Sequence, residues 1–254
     1  MDSILEVRHL KKYFYFNTSG GALHAVDDIS FSICKGETFS IVGESGCGKS
    51  TTGYALLGML KPTAGELYFE GRPLESDDEE GRRMVRRQMQ IVFQDPFASL
   101  NPKMCIGESI AEPLRAAGTP QEKIPGLVAD LLDMVGLHRS YADRLPNQFS
   151  GGQRQRLTIA RALVRKPEVL ILDDSASALD FATDAALRHA LRELPWKPAV
   201  VIISQRTASI RFADEILVLD DGKLAGRGTH DELLQTCEVY REIYESQFKK
   251  EDAR

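Results

Sequence analysis

Cysteine is scarce and scattered: four among 254 residues, Cys34, Cys47, Cys105 and Cys237, with no Cys-x-x-Cys pair. That spacing fits neither a zinc site nor a disulfide framework, and it suits a reducing cytoplasm. Long apolar runs are missing as well. No stretch approaches the ~18 residues that span a bilayer, and the opening residues do not read as a signal peptide. Positive charge is in deficit, since 32 Lys and Arg against 37 Asp and Glu leave a net charge of −5. This argues against a nucleic-acid platform, which is usually basic, so no nucleic-acid partner is expected. There is no internal repeat and no low-complexity linker. What remains is an ordinary globular composition, 43% hydrophobic, on a chain long enough for one large α/β domain.

Apolar patterning organises that length. Short stretches at 4–10, 29–33, 38–43 and 65–71 read as strands. From about 105 to 166 the spacing turns helical, with Leu131, Leu132 and Val135, then Leu157, Ala160, Leu163 and Val164. Two near-continuous aliphatic strands follow, VLILD at 169–173 and AVVIIS at 199–204. Apolar on both faces, they suit the middle of a parallel sheet covered by helices. Residues 215–228 read as a hairpin turning at Asp221-Gly222. The charged stretch at 75–88 reads as a solvated loop entering an exposed helix, and the charged tail as a helical end.

The segment GESGCGKST satisfies G-x-x-x-x-G-K-[ST], following the strand TFSIV and leading into a helical pattern. Its residues are Gly43, Glu44, Ser45, Gly46, Cys47, Gly48, Lys49, Ser50 and Thr51. The glycines let backbone N–H groups curl around phosphate oxygens, and the helix start adds its positive end. Lys49 is expected to meet the β- and γ-phosphates of ATP, and the Ser50 hydroxyl to ligate Mg²⁺. Asp173, ending an aliphatic strand, is the matching metal-site carboxylate. Cys47, beside Lys49 and a helix start, is expected to have a lowered thiol pKa. The predicted fold class is therefore α/β: a P-loop core, an antiparallel β layer near the N-terminus and a helical subdomain inserted at about 95–165. The whole of 1–254 is expected to form one domain.

The stretch FSGGQRQRL at 149–157 reads first as a helix start, with Ser150 as N-cap and Gln153 completing a capping box. Gly151 and Gly152 after the cap leave backbone amides uncovered at a positive helix end, an anion site. With the P-loop, Asp173 and SALD at 177–180 in matching order, the chain resembles the ATP-binding cassette (ABC) ATPases over nearly its whole length. That resemblance implies a dimer in which Ser150–Gly152 of one chain touches the γ-phosphate held by the other. It implies transmembrane permease subunits as partners, which would hold the chain at the cytoplasmic face of the cell membrane. It assigns Gln94, in QIVFQDP, to the Q-loop that senses Mg²⁺ and the attacking water. It assigns Phe14, or adjacent Tyr13, to stacking on adenine, and Asp180 to the dimer interface.

Two positions depart from that pattern: Asp174 stands where the family has its catalytic Glu, and Gln205 where it has its switch His. Residues 4–168 look most like oligopeptide and dipeptide importer ATPases, whereas 169–250 look like the nucleotide-binding domain of a heterodimeric exporter, where such replacements accompany a degenerate site. The expected function is an ATP-hydrolysing importer subunit with a weakened catalytic site. The alternatives are an exporter nucleotide-binding domain and a nucleotide-gated clamp with little turnover.

Overall fold

The computed structural model describes residues 3–16, 21–74, 79–175 and 179–251. In chain order the elements are β1 (Ser3–Tyr15), β2 (Ala22–Cys34), β3 (Thr38–Val42), α1 (Lys49–Leu56), β4 (Ala64–Phe69), β5 (Arg72–Pro73) and α2 (Glu79–Gln88). Next come β6 (Met89–Val92), α3 (Pro96–Ser99), α4 (Ile106–Ala116), α5 (Ile124–Met134), α6 (Gly151–Leu163), β7 (Val169–Asp173) and α7 (Phe181–Arg192). The last are β8 (Ala199–Ser204), α8 (Thr207–Ile210), β9 (Glu215–Asp220), β10 (Lys223–Gly228), α9 (His230–Thr236) and α10 (Glu238–Glu251). Two compact units divide them: Met1–Arg86 with Ala199–Arg254, and Arg87–Pro198.

In the first unit an antiparallel sheet runs in the order β2-β1-β4-β5. Leu5 pairs with Ile33 on one side and Phe69 on the other, all three buried, so alternate residues of each strand supply one apolar face. β1 and β2 extend well beyond the stretches predicted at 4–10 and 29–33. The reason is irregular pairing: the register shifts between Val7 and Leu10, and His9 and Asp28 take left-handed backbone, φ 49° and 64°. Such a bulge breaks the period of two on which the sequence reading depends. In the same unit β3 lies between β8 and β9, parallel to both, with Ile41 opposite Ile203 and Leu217. Every residue of β3 and β8 is buried, as the near-continuous aliphatic run of β8 requires, and β3 takes polar Thr38 and Ser40 into the interior with its apolar residues. The predicted hairpin is present: Asp220 faces Lys223, and the two turn residues Asp221 and Gly222 both have positive φ, 42° and 77°. That pair of angles suits the two-residue turn that Asp-Gly favours.

In the second unit β6 and β7 pair in parallel from Met89↔Val169 to Val92↔Leu172. The apolar faces of α4, α5 and α6 bury Ile106, Ile110, Leu132, Leu157 and Leu163, in agreement with the helical spacing of the sequence. Among the described residues no helix is long and apolar enough to cross a membrane.

Candidate functional site

Parallel pairing brings chemistry-bearing residues together at the carboxyl ends of strands, where open α/β sheets place their ligands. In the first unit Val42 pairs with Ser204, so Gly43 and Gln205 leave adjacent strands side by side. In the second unit Val92 pairs with Leu172, and Gln94 and Asp174 each stand two residues further on. The side chains of this second pair meet: Gln94 Nε2 donates to Asp174 Oδ2 at 3.1 Å.

The loop from Gly43 to Gly48 is shaped by its glycines. A Cβ on Gly43 would lie 2.2 Å from the Leu219 carbonyl oxygen, and one on Gly48 would lie 2.0 Å from that of Ala25. Gly48 is also the N-cap of α1, with φ 98°, a conformation that side chains resist. Gly46, φ 86°, has open space where its Cβ would be, which leaves that stretch of backbone approachable. Glu44, Ser45 and Gly46 are exposed, whereas Cys47, Gly48 and Lys49 are buried and Ser50 and Thr51 half-buried. The Lys49 ammonium donates to the carbonyls of Gly43 (2.9 Å) and Glu44 (2.6 Å) and reaches Cys47 Sγ at 3.7 Å. Helix α1 starts here with no acidic residue in its first turn, so its positive end is not countered.

Cys47 corrects a sequence expectation. Burial pushes its thiol up, and the neighbouring Lys49 ammonium only partly offsets that. Only 5% of the residue is exposed, so desolvation of the thiolate outweighs the local positive charge.

Asp173 ends β7 almost fully buried, and Asp174 follows with φ 43°, a left-handed conformation that Asp tolerates better than most residues. Ser150 and Gln153 form the expected capping box: Gln153 N donates to Ser150 Oγ (3.3 Å) and Ser150 N to Gln153 Oε1 (3.0 Å). A Cβ on Gly151 would touch nothing within 4 Å, so the start of α6 is open to a ligand. Asp180 caps α7, accepting from Thr183 N (2.9 Å) and Thr183 Oγ1 (2.8 Å), bonds that hold its carboxyl below the usual carboxylate range. Ser177 and Ala178 lie outside the described residues.

The two candidate adenine-stacking rings differ. Tyr13 stacks on His24 with centroids 4.0 Å apart, and its hydroxyl donates to the Asp27 carboxylate. That bond lifts the Tyr13 pKa to about 12 and holds Asp27 low. Phe14, its strand neighbour, carries the Lys12 ammonium 5.0 Å from its ring centre.

Sequence reasoning missed two glutamines. Gln155 is fully buried on α6 and donates to the carbonyl of Phe93, the residue before Gln94 (3.3 Å), while its Oε1 has no partner among the described residues. Gln247, on α10, donates to the carbonyl of Gln205 at 2.5 Å. Neither carries a local signal, because each acts on a loop remote in sequence.

A family model described as "ABC transporter" matches residues 26–177. The chain belongs to that family. It is an ABC-type ATPase: it binds ATP and couples its hydrolysis to transport. It is 41% identical over 241 residues to the oligopeptide transport ATP-binding protein OppF of Bacillus subtilis, a match covering 92% of this chain and 78% of that protein. With AppF of the same organism, also an oligopeptide transport ATP-binding protein, identity is 44% over 234 residues, covering 88% and 71%. Among solved structures the chain is similar to the ATP-binding cassette MJ0796, seen as a dimer bound to ADP and Pi. There the TM-score is 0.79 at 29% identity, covering 89% of this chain and 98% of that one. The expected ABC fold class, with its antiparallel layer and mixed core sheet, is thereby borne out.

Proposed function

We propose that this ABC ATPase powers a peptide-type importer and that its own catalytic site binds ATP well but hydrolyses it slowly. The importer reading is supported by the likeness to OppF and AppF, whose matches run through most of the chain. Its partners are then permease subunits in the membrane and a second ABC chain, and its place is the cytoplasmic face. The dimeric form of MJ0796 is consistent with the paired arrangement.

The slow-turnover reading rests on one observation: a complete phosphate cradle accompanies a short carboxylate, Asp174, that is engaged by Gln94. Phosphoryl transfer to water needs positioning and charge stabilisation more than covalent chemistry. Lys49 has three contacts, two with carbonyls and a weak third with sulfur, which a phosphate oxygen would replace. The open amides at the start of α6 of the second chain would face the γ-phosphate, and Phe14, whose ring is not stacked on His24, suits the adenine.

Mg²⁺ would supply neutralisation of charge on the β- and γ-phosphate oxygens. No cluster of three or more His, Cys, Asp or Glu that could hold a metal occurs among the described residues. That fits Mg²⁺, which takes one or two protein oxygens and completes its shell with phosphate and water. Ser50 and Asp173 are the candidate ligands, with Gln94 beside them in role.

Asp174 is one C–C bond, about 1.5 Å, shorter than Glu. A misplacement of about 1 Å can cost roughly 10²-fold in rate. Gln205 can donate a hydrogen bond but cannot become cationic as His can. Steady-state phosphate release at saturating MgATP tests this, with dimer content measured alongside. The Asp174→Glu, Gln205→His double variant is expected to be at least about tenfold faster than the unmodified chain, near 1.4 kcal/mol in the barrier. Brisk hydrolysis by the unmodified chain, or no gain in a double variant that still dimerises, overturns the reading.

A further inference from the structure

The loop that carries Gln205 is fastened from behind by the chain's last helix. α10 turns one face inward: Tyr240 and Ile243 are buried on it, and Gln247, one turn on, is half-buried. The Gln247 amide takes hold of the loop at two points. Its Nε2 donates to the Gln205 carbonyl at 2.5 Å, and its Oε1 accepts from Thr207 N at 2.9 Å and from Thr207 Oγ1 at 3.0 Å. Between these points Arg206 N donates to Ser204 Oγ at 3.0 Å. The backbone is therefore held at three successive residues. Helix α8, which starts at Thr207, has no side-chain cap from its own N-cap residue, Arg206, so the Gln247 oxygen takes the first helical amide instead. Thr207 itself is 1% exposed, so its two bonds to Gln247 are not ones that bulk water would readily replace.

We infer that Gln247 is a positioning residue for Gln205, which makes α10 part of the hydrolytic apparatus. The inference rests on the part in hydrolysis proposed for the Gln205 side chain as a hydrogen-bond donor. A side chain reaches only as far as its backbone allows. Gln205 leaves β8 at the strand end next to the P-loop, where the Val42–Ser204 pairing fixes one side of its peptide. Gln247 fixes the other side. With the amide removed, the peptide after Gln205 loses the hold on its carbonyl and keeps the bond from Arg206 N to Ser204 Oγ, so it can tilt about that bond and carry the Gln205 side chain with it.

Gln247 could instead act only as an attachment of α10 to the sheet. The two roles differ in how they combine with Gln205, because an attachment has the same effect whether or not Gln205 has a side chain to aim. The experiment uses the full chain and compares four proteins: unmodified, Gln247→Met, Gln205→Ala and the double variant. Met keeps the length and packing of Gln while losing its amide. Single-turnover hydrolysis, with the protein in excess over MgATP and well above its Kd, gives the rate even when turnover is slow, and titration gives the MgATP affinity.

Gln247→Met is expected to lower the rate by ~10-fold, less than the roughly 10²-fold that a misplacement of about 1 Å can cost, with MgATP affinity unchanged. In the Gln205→Ala background it is expected to lower the rate no further, the non-additivity of groups that act as a unit. Gln247→Glu guards against a Met variant that fails to fold. It keeps both Thr207 bonds but sets a carboxylate against the Gln205 carbonyl, and a similar loss of rate is expected. An unchanged rate in a folded Gln247 variant, or the same fold-loss in both backgrounds, overturns the inference alone. If Gln205→Ala leaves the rate unchanged, the role proposed for Gln205 falls, and the inference with it.

Discussion

The proposed phosphate cradle and the groups proposed to handle water are made of different material. The cradle is backbone: Gly43 and Gly48 stand where any Cβ would strike a carbonyl within about 2 Å, and Lys49 is buried among loop carbonyls. The groups proposed to handle water are side chains at strand ends: Gln94 and Gln205 are exposed and Asp174 is half-buried, with Gln94 donating to Asp174 and Gln247 holding the backbone carbonyl of Gln205. A backbone cradle tolerates almost no substitution and gives nearly constant binding. Side chains at strand ends can be exchanged without disturbing the sheet behind them, so turnover can drift while ATP binding stays put.

The strongest way to break that contrast is to put a methyl group into the cradle. Gly48→Ala must hold a left-handed N-cap, at about 1–2 kcal/mol, and displace the Ala25 carbonyl, at roughly 1–3 kcal/mol. ATP binding is expected to disappear and the melting temperature to fall; calorimetry in the presence and absence of MgATP checks both. A Gly48→Ala chain that binds ATP normally would show the cradle to be as adaptable as the strand ends. Next in size is Lys49→Ala, which leaves the glycines in place but removes a charged donor and its bonds to the Gly43 and Glu44 carbonyls. A charge-assisted contact of about 1.5–3 kcal/mol predicts MgATP affinity weakened by about ten- to a hundredfold. An unweakened titration curve would remove Lys49 from the phosphate site. The smallest effect is on Cys47, which probes how closely the cradle is packed. Its thiol pKa is raised by burial, so its thiolate forms only at a pH above the ordinary thiol range. Alkylation there is expected to be slower than at half-buried Cys105, to gain with rising pH, and to stop when MgATP is bound. Mass spectrometry of the labelled peptides distinguishes the two cysteines, and faster labelling at Cys47 would mean a looser loop.

How much of this could be read from the sequence depends on the range of the interaction. The P-loop, the Ser150–Gln153 capping box and the Asp221-Gly222 turn are set by residues a few positions apart, and all three appear in the structure. The length of β1 and β2 was not legible, because bulges at His9 and Asp28 reset the alternation on which strand recognition relies. The environment of Cys47 was misjudged for a related reason. Its neighbours in sequence supply positive charge, whereas its burial comes from the surrounding fold, which the motif does not record. The bonds Gln94–Asp174 and Gln247–Gln205 join residues 80 and 42 positions apart and depend on strand register and helix docking. Resemblance to the family could assign Gln94 and Gln205 a role, but not the partners that hold them.

Asp174 has one more consequence, for heredity. Its φ of 43° belongs to a region that Asp, with its short side chain, occupies more easily than Glu. On the role proposed for Asp174, a chain with Glu there would extend its carboxylate toward the attacking water and would strain its backbone in the same step. Codons for Asp and Glu differ only in the third base, so on that proposed role a single nucleotide change trades a more comfortable fold for faster turnover, and the reverse change trades it back.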